Sequence, residues 1–282
     1  MNPSWAPGAR TRLAGVIGWP VRHSLSPVIH NAAFRVLGLD WAYVAFEVAP
    51  GRAGAAVEAV RALGLGGLNV TRPHKDAAAG AVDRLTPVAE ALGAVNTVVP
   101  EGDELVGDST DGPGFLAALA ADHGFDPVGR RCLVLGGGGA GRAVVLALAE
   151  AGAADVAVVT RRRQQAETAV RLAPSAARVG RVADVVGADL VVNATPVSEV
   201  LPLGVVAGDL GPGQLVVDLL YEPPVTALLA AARARGAVAA NGVGMLVHQA
   251  ALSLTAWSGQ AAPLGAMHDA VAGHLAATGS AV

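Results

Sequence analysis

The sequence predicts an α/β fold built as two α/β domains, and three observations carry that prediction. Short apolar strands alternate with helical stretches along the chain. The alternation restarts cleanly after a polar turn at residues 123–130, so the two halves read as separate units. At the restart, an apolar strand runs straight into a glycine cluster and then a helix, and the last forty residues read mainly as helix.

Bulk composition narrows the field. The chain has 282 residues, of which 52% are hydrophobic and 15% charged, enough apolar material for two packed cores. A net charge of −3 leaves no basic face for a nucleic-acid partner. Cys132 is the single cysteine, so neither an intramolecular disulfide nor a cysteine-based metal cluster is expected. The N-terminus MNPSWAPGAR lacks the apolar core of a signal peptide. No stretch is long and apolar enough for a membrane span, which makes the cytoplasm the expected location.

In the first half, Arg12–Gly18, Trp41–Val48 and Leu65–Val70 read as strands. Ser26–Leu37 and Arg52–Leu63 read as helices, with Ser26 as N-cap and Pro27 in the first turn of the former. Two short helical stretches follow, around Asp76–Ala81 and Pro87–Leu92. Asn96–Val99 and Glu104–Val106 then form a hairpin turning through Gly102-Asp103. A helix from Gly112 to Asp122 leads into the second half. There Arg131–Leu135, Asp155–Thr160, Leu190–Ala194 and Leu215–Leu219 read as strands with helices between them.

The run LVLGGGGAGRAVV sets Gly136, Gly138 and Gly141 in G-x-G-x-x-G spacing between a strand and a helix. Such glycines allow a sharp turn and a close approach to a pyrophosphate, while the start of the following helix, read as Arg142–Ala151, offers N–H groups and a positive dipole end. Where an NAD enzyme usually carries an acid, this chain has Thr160 followed by Arg161, Arg162 and Arg163. Guanidinium groups suit a 2′-phosphate, so the cofactor expected is NADP, with Arg161 as the main contact.

The basic residues comprise nineteen arginines and one lysine, Lys75. A lysine surviving in so arginine-rich a chain is a candidate for work that needs a releasable proton. Three polar clusters lie at strand ends, where α/β sheets put ligands: Ser24 and Ser26; Asn69, Thr71 and Lys75; Asn96 and Asp111. Hydroxyls, amides, one amine and one carboxylate suit a polyol bearing a carbonyl. His23, His30, His74 and His248 read as structural or surface groups.

Those stretches, together with VVNATP, VVDLLYEPPVTALL and NGVGMLVHQAALSLTAWSGQ, resemble the shikimate dehydrogenase family in order and along nearly the whole chain. The resemblance implies NADPH-dependent reduction of 3-dehydroshikimate to shikimate, on the route to chorismate and the aromatic amino acids. It assigns Ser24 and Ser26 to the substrate carboxylate, with Tyr221 near it. Asn69, Thr71, Asn96 and Gln249 go to ring hydroxyls, and Lys75 and Asp111 form the catalytic pair. On the cofactor side it takes in Gly136, Gly138, Gly139, Ala140, Gly141, Thr160, Arg161, Arg163, Asn193, Thr195 and Gly242, and it includes no metal.

The resemblance also implies a substrate domain over residues 1–111, a Rossmann-like NADP domain over 112–241, and C-terminal helices over 242–282 that return to the first domain. Ser109-Thr110-Asp111-Gly112 departs from the family's usual Asn-Thr-Asp-Gly, and Gln164 or Gln165 stands where a second arginine is usual. Quinate/shikimate or aminoshikimate dehydrogenases are the related alternatives, a non-catalytic NADP-binding sensor the unrelated one. The partner expected is a small-molecule substrate; assembly stays open between monomer and homodimer.

Overall fold

The computed structural model describes residues 6–278; the first five and last four residues, part of the N-terminal and C-terminal readings above, lie outside it. The chain divides into two compact units, Met1–Thr110 with Gln249–His274, and Asp111–His248 with Leu275–Val282.

The first unit carries β1 (Arg12–Gly18), α1 (Ser26–Val36), β2 (Trp41–Glu47), α2 (Ala53–Ala62), β3 (Gly67–Val70), α3 (Lys75–Ala79), β4 (Arg84–Leu85), α4 (Pro87–Leu92), β5 (Thr97–Glu101) and β6 (Glu104–Asp108). Its six strands form one sheet in the order β2-β1-β3-β5-β6-β4. The first three are mutually parallel, whereas β5 runs antiparallel to both β3 and β6. The hairpin expected at Gly102 is present, with that residue at φ +62°. The core under this sheet draws on Ile17, Leu68, Val70, Val95 and Val98 together with Val57 and Val60 of α2.

The second unit carries α5 (Asp111–His123), β7 (Arg131–Leu135), α6 (Gly139–Glu150), β8 (Asp155–Val159), α7 (Arg163–Val170), β9 (Ala177–Val179), β10 (Leu190–Asn193), β11 (Leu215–Asp218), α8 (Ala227–Ala234) and β12 (Val238–Ala240). Every pairing in its sheet, ordered β12-β11-β10-β7-β8-β9, is parallel. Both faces are covered, as parallel sheets require. Alternate residues supply the two cores: Cys132, Val134, Val156, Val158 and Val192 face one side, while Leu133, Leu135, Ala157, Val159 and Val191 face the other. The chain ends in α9 (Val243–Ser258) and α10 (Leu264–Ala277).

Several readings of the elements need correction. The helix expected between β10 and β11 is replaced by two short 3-10 turns, Pro202–Gly204 and Ala207–Asp209. Pro196, Pro202, Gly204 and Pro212 keep that stretch from a regular α-helix. β4, β9 and β12 escaped notice because two or three residues are too few to show alternation. Ser26 is not an N-cap: Leu25 takes that position, and Ser26 opens the helix itself. The hydroxyl that serves the turn is that of Ser24, which accepts the Ser26 N–H at 3.3 Å.

Candidate functional site

The first unit gathers its polar residues into one buried network. Asn69, near the end of β3, is almost fully buried. Its Oδ1 accepts from the Tyr43 hydroxyl at 2.7 Å, and its Nδ2 faces the Asn96 carbonyl at 3.1 Å, Thr97 Oγ1 at 3.2 Å and Ser253 Oγ at 3.0 Å. Asn96, just before β5, accepts at Oδ1 from the Thr97 hydroxyl at 2.9 Å and the Thr110 N–H at 2.8 Å; its Nδ2 donates to Thr110 Oγ1 at 3.0 Å. Thr97 and Ser253 hydroxyls lie 2.8 Å apart, and Thr110 Oγ1 lies 3.5 Å from Gln249 Oε1. Asn69, Asn96 and Gln249 are thus brought together, on β3, before β5 and on α9.

Tyr43, Thr97, Thr110 and Ser253 were not singled out from the sequence. Ser253 did leave a signal, since it stands one helical turn from Gln249 in an otherwise apolar stretch. Tyr43 is stacked on His30 at 4.3 Å between ring centroids and 7° between planes. Neither ring nitrogen of His30 has a hydrogen-bond partner, and burial drives its pKa down to about 3, so it is a neutral packing group.

Lys75 is placed by main-chain anchors. The His74 N–H donates to the Thr71 carbonyl at 3.0 Å, and the Thr71 N–H donates to Ile17 O at 2.9 Å. The His74 ring is buried, with Nε2 2.7 Å from the Val48 carbonyl, so this histidine is structural. Lys75 then opens α3, half-buried, with its carbonyl accepting the Val95 N–H at 3.0 Å. That bond sets the lysine beside the strand that begins the Asn96 cluster. Ser24 and Ser26 have their hydroxyls 3.2 Å apart at the start of α1.

In the second unit Asp111, 7% exposed, opens α5. Gly112 follows, and a Cβ there would come within 2.9 Å of the Ala143 carbonyl; α5 therefore lies close against α6. The glycine loop shows two kinds of glycine. Gly136 has φ +115°, a conformation side chains rarely take, and a Cβ on Gly141 would sit 2.2 Å from the Gly136 carbonyl oxygen. Gly138 and Gly139 instead have nothing within 4 Å of where a Cβ would be. The result is a tight turn with an open shelf at the uncapped start of α6, a cradle that fits a phosphate group.

The Thr160 hydroxyl, after β8, donates to the Arg162 carbonyl at 2.7 Å and shapes the arginine turn. Arg161 and Arg162 are exposed, while Arg163 pairs with Glu167 at 2.8 Å along α7. Asn193 is fully buried: Nδ2 donates to Asp218 at 3.0 Å, and Oδ1 accepts the Thr195 N–H at 3.0 Å and the Thr195 hydroxyl at 2.7 Å. Its side chain shapes the loop, and Thr195 is the half-exposed member of the pair. A Cβ on Gly242 would sit 2.1 Å from Leu219 O, so this glycine closes on the end of β11. Tyr221, half-buried, lies in the loop that follows β11.

Chains of known kind match these features. The model of the shikimate dehydrogenase substrate binding domain matches residues 16–98, a putative NAD(P)-binding domain matches 125–201, and the shikimate 5′-dehydrogenase C-terminal domain matches 242–272. The chain is similar to the shikimate dehydrogenase (NADP(+)) of Geobacter metallireducens, with 46% identity over 93% of this chain and 96% of that one. Its counterpart in Methanopyrus kandleri is 44% identical over 98% and 100%. Among solved structures, shikimate 5-dehydrogenase from Thermus thermophilus, in complex with NADP(H) and shikimate, superposes with a TM-score of 0.85 at 37% identity. That match covers 92% of this chain and 98% of the other.

Proposed function

The chain belongs to the shikimate dehydrogenase family, and from that premise we propose that it catalyses the reversible, NADPH-dependent reduction of 3-dehydroshikimate to shikimate. The observation that carries the reading is the placement of Lys75. The one lysine of the chain is pinned by its own carbonyl to Val95, next to the buried cluster holding Asn69, Asn96 and Gln249. We assign substrate binding to the first unit and NADP binding to the second.

NADPH, when bound, supplies the hydride that goes to the ring carbonyl carbon. The Gly136–Gly141 loop and the start of α6 offer N–H groups and room for its pyrophosphate, Arg161 a partner for its 2′-phosphate, and Thr195 a hydroxyl beside the loop. Lys75 donates a proton to the carbonyl oxygen as negative charge develops there, and water returns a proton to the amine between turnovers. Asp111 is assigned as the acidic member of the catalytic pair. Ser24 and Ser26 hold the carboxylate with neutral donors, and Tyr221 is assigned to the same group of the substrate. Thr71, Asn69, Asn96 and Gln249 hold ring hydroxyls and turn the carbonyl toward Lys75, so that reaction begins from an aligned geometry.

A membrane-spanning helix is absent among the described residues, and a cytoplasmic location is proposed with this chemistry. β2 is an edge strand with Val44 and Phe46 partly exposed, the surface a homodimer would use; sedimentation then reads a doubled mass. The deciding experiment follows NADPH absorbance with 3-dehydroshikimate, and NADP reduction with shikimate and with quinate. Turnover of shikimate with NADP in clear excess over NAD is expected. Quinate preferred over shikimate, or NAD over NADP, would overturn the assignment.

A further inference from the structure

We propose that Asp218 is a positioning residue for the cofactor: it dictates the orientation of the Asn193 amide and, through it, the Thr195 turn that borders the glycine loop. The inference rests on the reading of the second unit as an NADP domain.

Asp218 and Asn193 are the last residues of β11 and β10 and lie opposite each other in register, at the strand ends where parallel sheets bind ligands. Asp218 is fully buried, and its three hydrogen-bond donors are neutral: Asn193 Nδ2 at 3.0 Å, the Thr226 hydroxyl at 2.7 Å and the Leu220 N–H at 3.1 Å. Burial without a cation raises its pKa. Such an acid is costly to keep, so its geometry has a use beyond filling space.

That use follows from donor and acceptor inventories. A carboxylate only accepts, so Asn193 must turn its NH2 toward Asp218, and the same NH2 also reaches the Val197 carbonyl at 3.3 Å, a longer contact that favours the same orientation. Its oxygen is thereby committed to the other side, where it accepts both the N–H and the hydroxyl of Thr195. The Thr195 turn in turn packs on the glycine loop. A Cβ on Gly136 would lie 2.9 Å from the Ala194 carbonyl and 3.2 Å from Thr195 Cγ2. A flipped Asn193 amide would set NH2 against the Thr195 N–H and push this turn away from or into the cradle.

Asp218→Asn tests the chain of control. The Leu220 N–H belongs to the main chain and cannot rotate, so the new amide keeps its oxygen there and turns NH2 toward Asn193, whose own amide must flip. NADP binding to the substrate-free enzyme, measured by calorimetry, is expected to weaken about tenfold. KM for shikimate should stay within about twofold of wild type. The reversed pair, Asn193→Asp with Asp218→Asn, again gives Thr195 an acceptor and is expected to restore NADP affinity.

Asp218→Asn binding NADP as wild type does, or a reversed pair as weak as the single variant, would overturn the proposal. So would equal losses for NADP and shikimate, the mark of a general structural defect. If Asp218→Asn fails to fold, Thr195→Val removes only the far end of the chain and is expected to weaken NADP binding alone; unchanged binding there overturns the idea as well. Wild-type enzyme that fails to bind NADP would instead sink the functional reading, before any variant is compared.

Discussion

The two units hold their key amides by opposite means. Around Asn69 and Asn96, four of the partners are hydroxyls that rotate to donate or accept. Around Asn193 the anchor is a buried carboxylate, which can only accept. A network of rotors can re-pair after the loss of one member, whereas a chain anchored on a fixed acceptor passes any fault along. The first arrangement suits the hydroxyls of a polyol ring, which make many similar contacts. The second suits a loop that must hold one shape beside a charged ligand.

Lys75 is the proton donor proposed for the first unit, and the largest expected effect lies there. Lys75→Ala should lower kcat by about a hundredfold or more, with a smaller change in KM. Lys75→Arg should be nearly as poor, because arginine does not release a proton at working pH. A loss confined to KM would make Lys75 a binding residue and erase the division of labour.

Next in size is the exposed end of the second unit. Arg161→Ala should raise KM for NADP about tenfold while leaving KM for NAD little changed, since a charge-assisted contact to phosphate is worth about 1.5–3 kcal/mol. Equal changes for both cofactors would move 2′-phosphate recognition to Arg162 or Arg163.

The neutral network sharpens the comparison at smaller amplitude. Ser253→Ala should cost about 1 kcal/mol of stability, because Thr97 and Asn69 retain one another. Thr97→Val removes the hydroxyl that joins Asn69, Asn96 and Ser253, and should cost about 1–3 kcal/mol. Thermal unfolding of both variants, with KM for shikimate, checks the ranking; equal costs would show that the hydroxyls do not re-pair.

The last effect is absent at neutral pH and confined to acid. His30 is held neutral with its pKa down at about 3, so its contribution to stability is complete above the ordinary value of 6.5 and is lost as pH falls toward 3. His30→Phe keeps a ring against Tyr43 and should flatten that limb of a melting curve measured against pH. Parallel curves for variant and wild type would remove His30 from the account.

The parts of this design legible in the sequence are those with local signatures. Glycine spacing marked the α6 cradle, and strand–helix alternation marked the longer strands of both sheets, because each pattern is written within some twenty residues. Lys75 was visible through composition alone. Thr97 and Ser253 were not, since their hydroxyls meet only after residues 156 positions apart come together. The direction of the Asn193 amide was not legible either, because its position in the motif does not reveal which way an amide turns; its acid partner stands on the next strand, 25 residues away. The corrected cap at Ser26 has the same origin: hydroxyls at Ser24 and Ser26 are equivalent until backbone angles are known.

Trp257 has a consequence for the order in which the protein is made. Its indole N–H donates to the Val98 carbonyl at 3.0 Å, and its ring lies so close over Gly67 that a Cβ there would sit 2.2 Å from Nε1. Ser253, one turn earlier, completes the Asn69 network. All six strands of the first sheet leave the ribosome by residue 108, yet its cover is encoded some 150 residues later. Until then the nascent sheet exposes an apolar surface and unmet amides, the state in which chaperones engage a chain and aggregation competes with folding. A message truncated before Trp257 yields a protein with every strand in place and without the indole that covers Gly67 and caps the Val98 carbonyl.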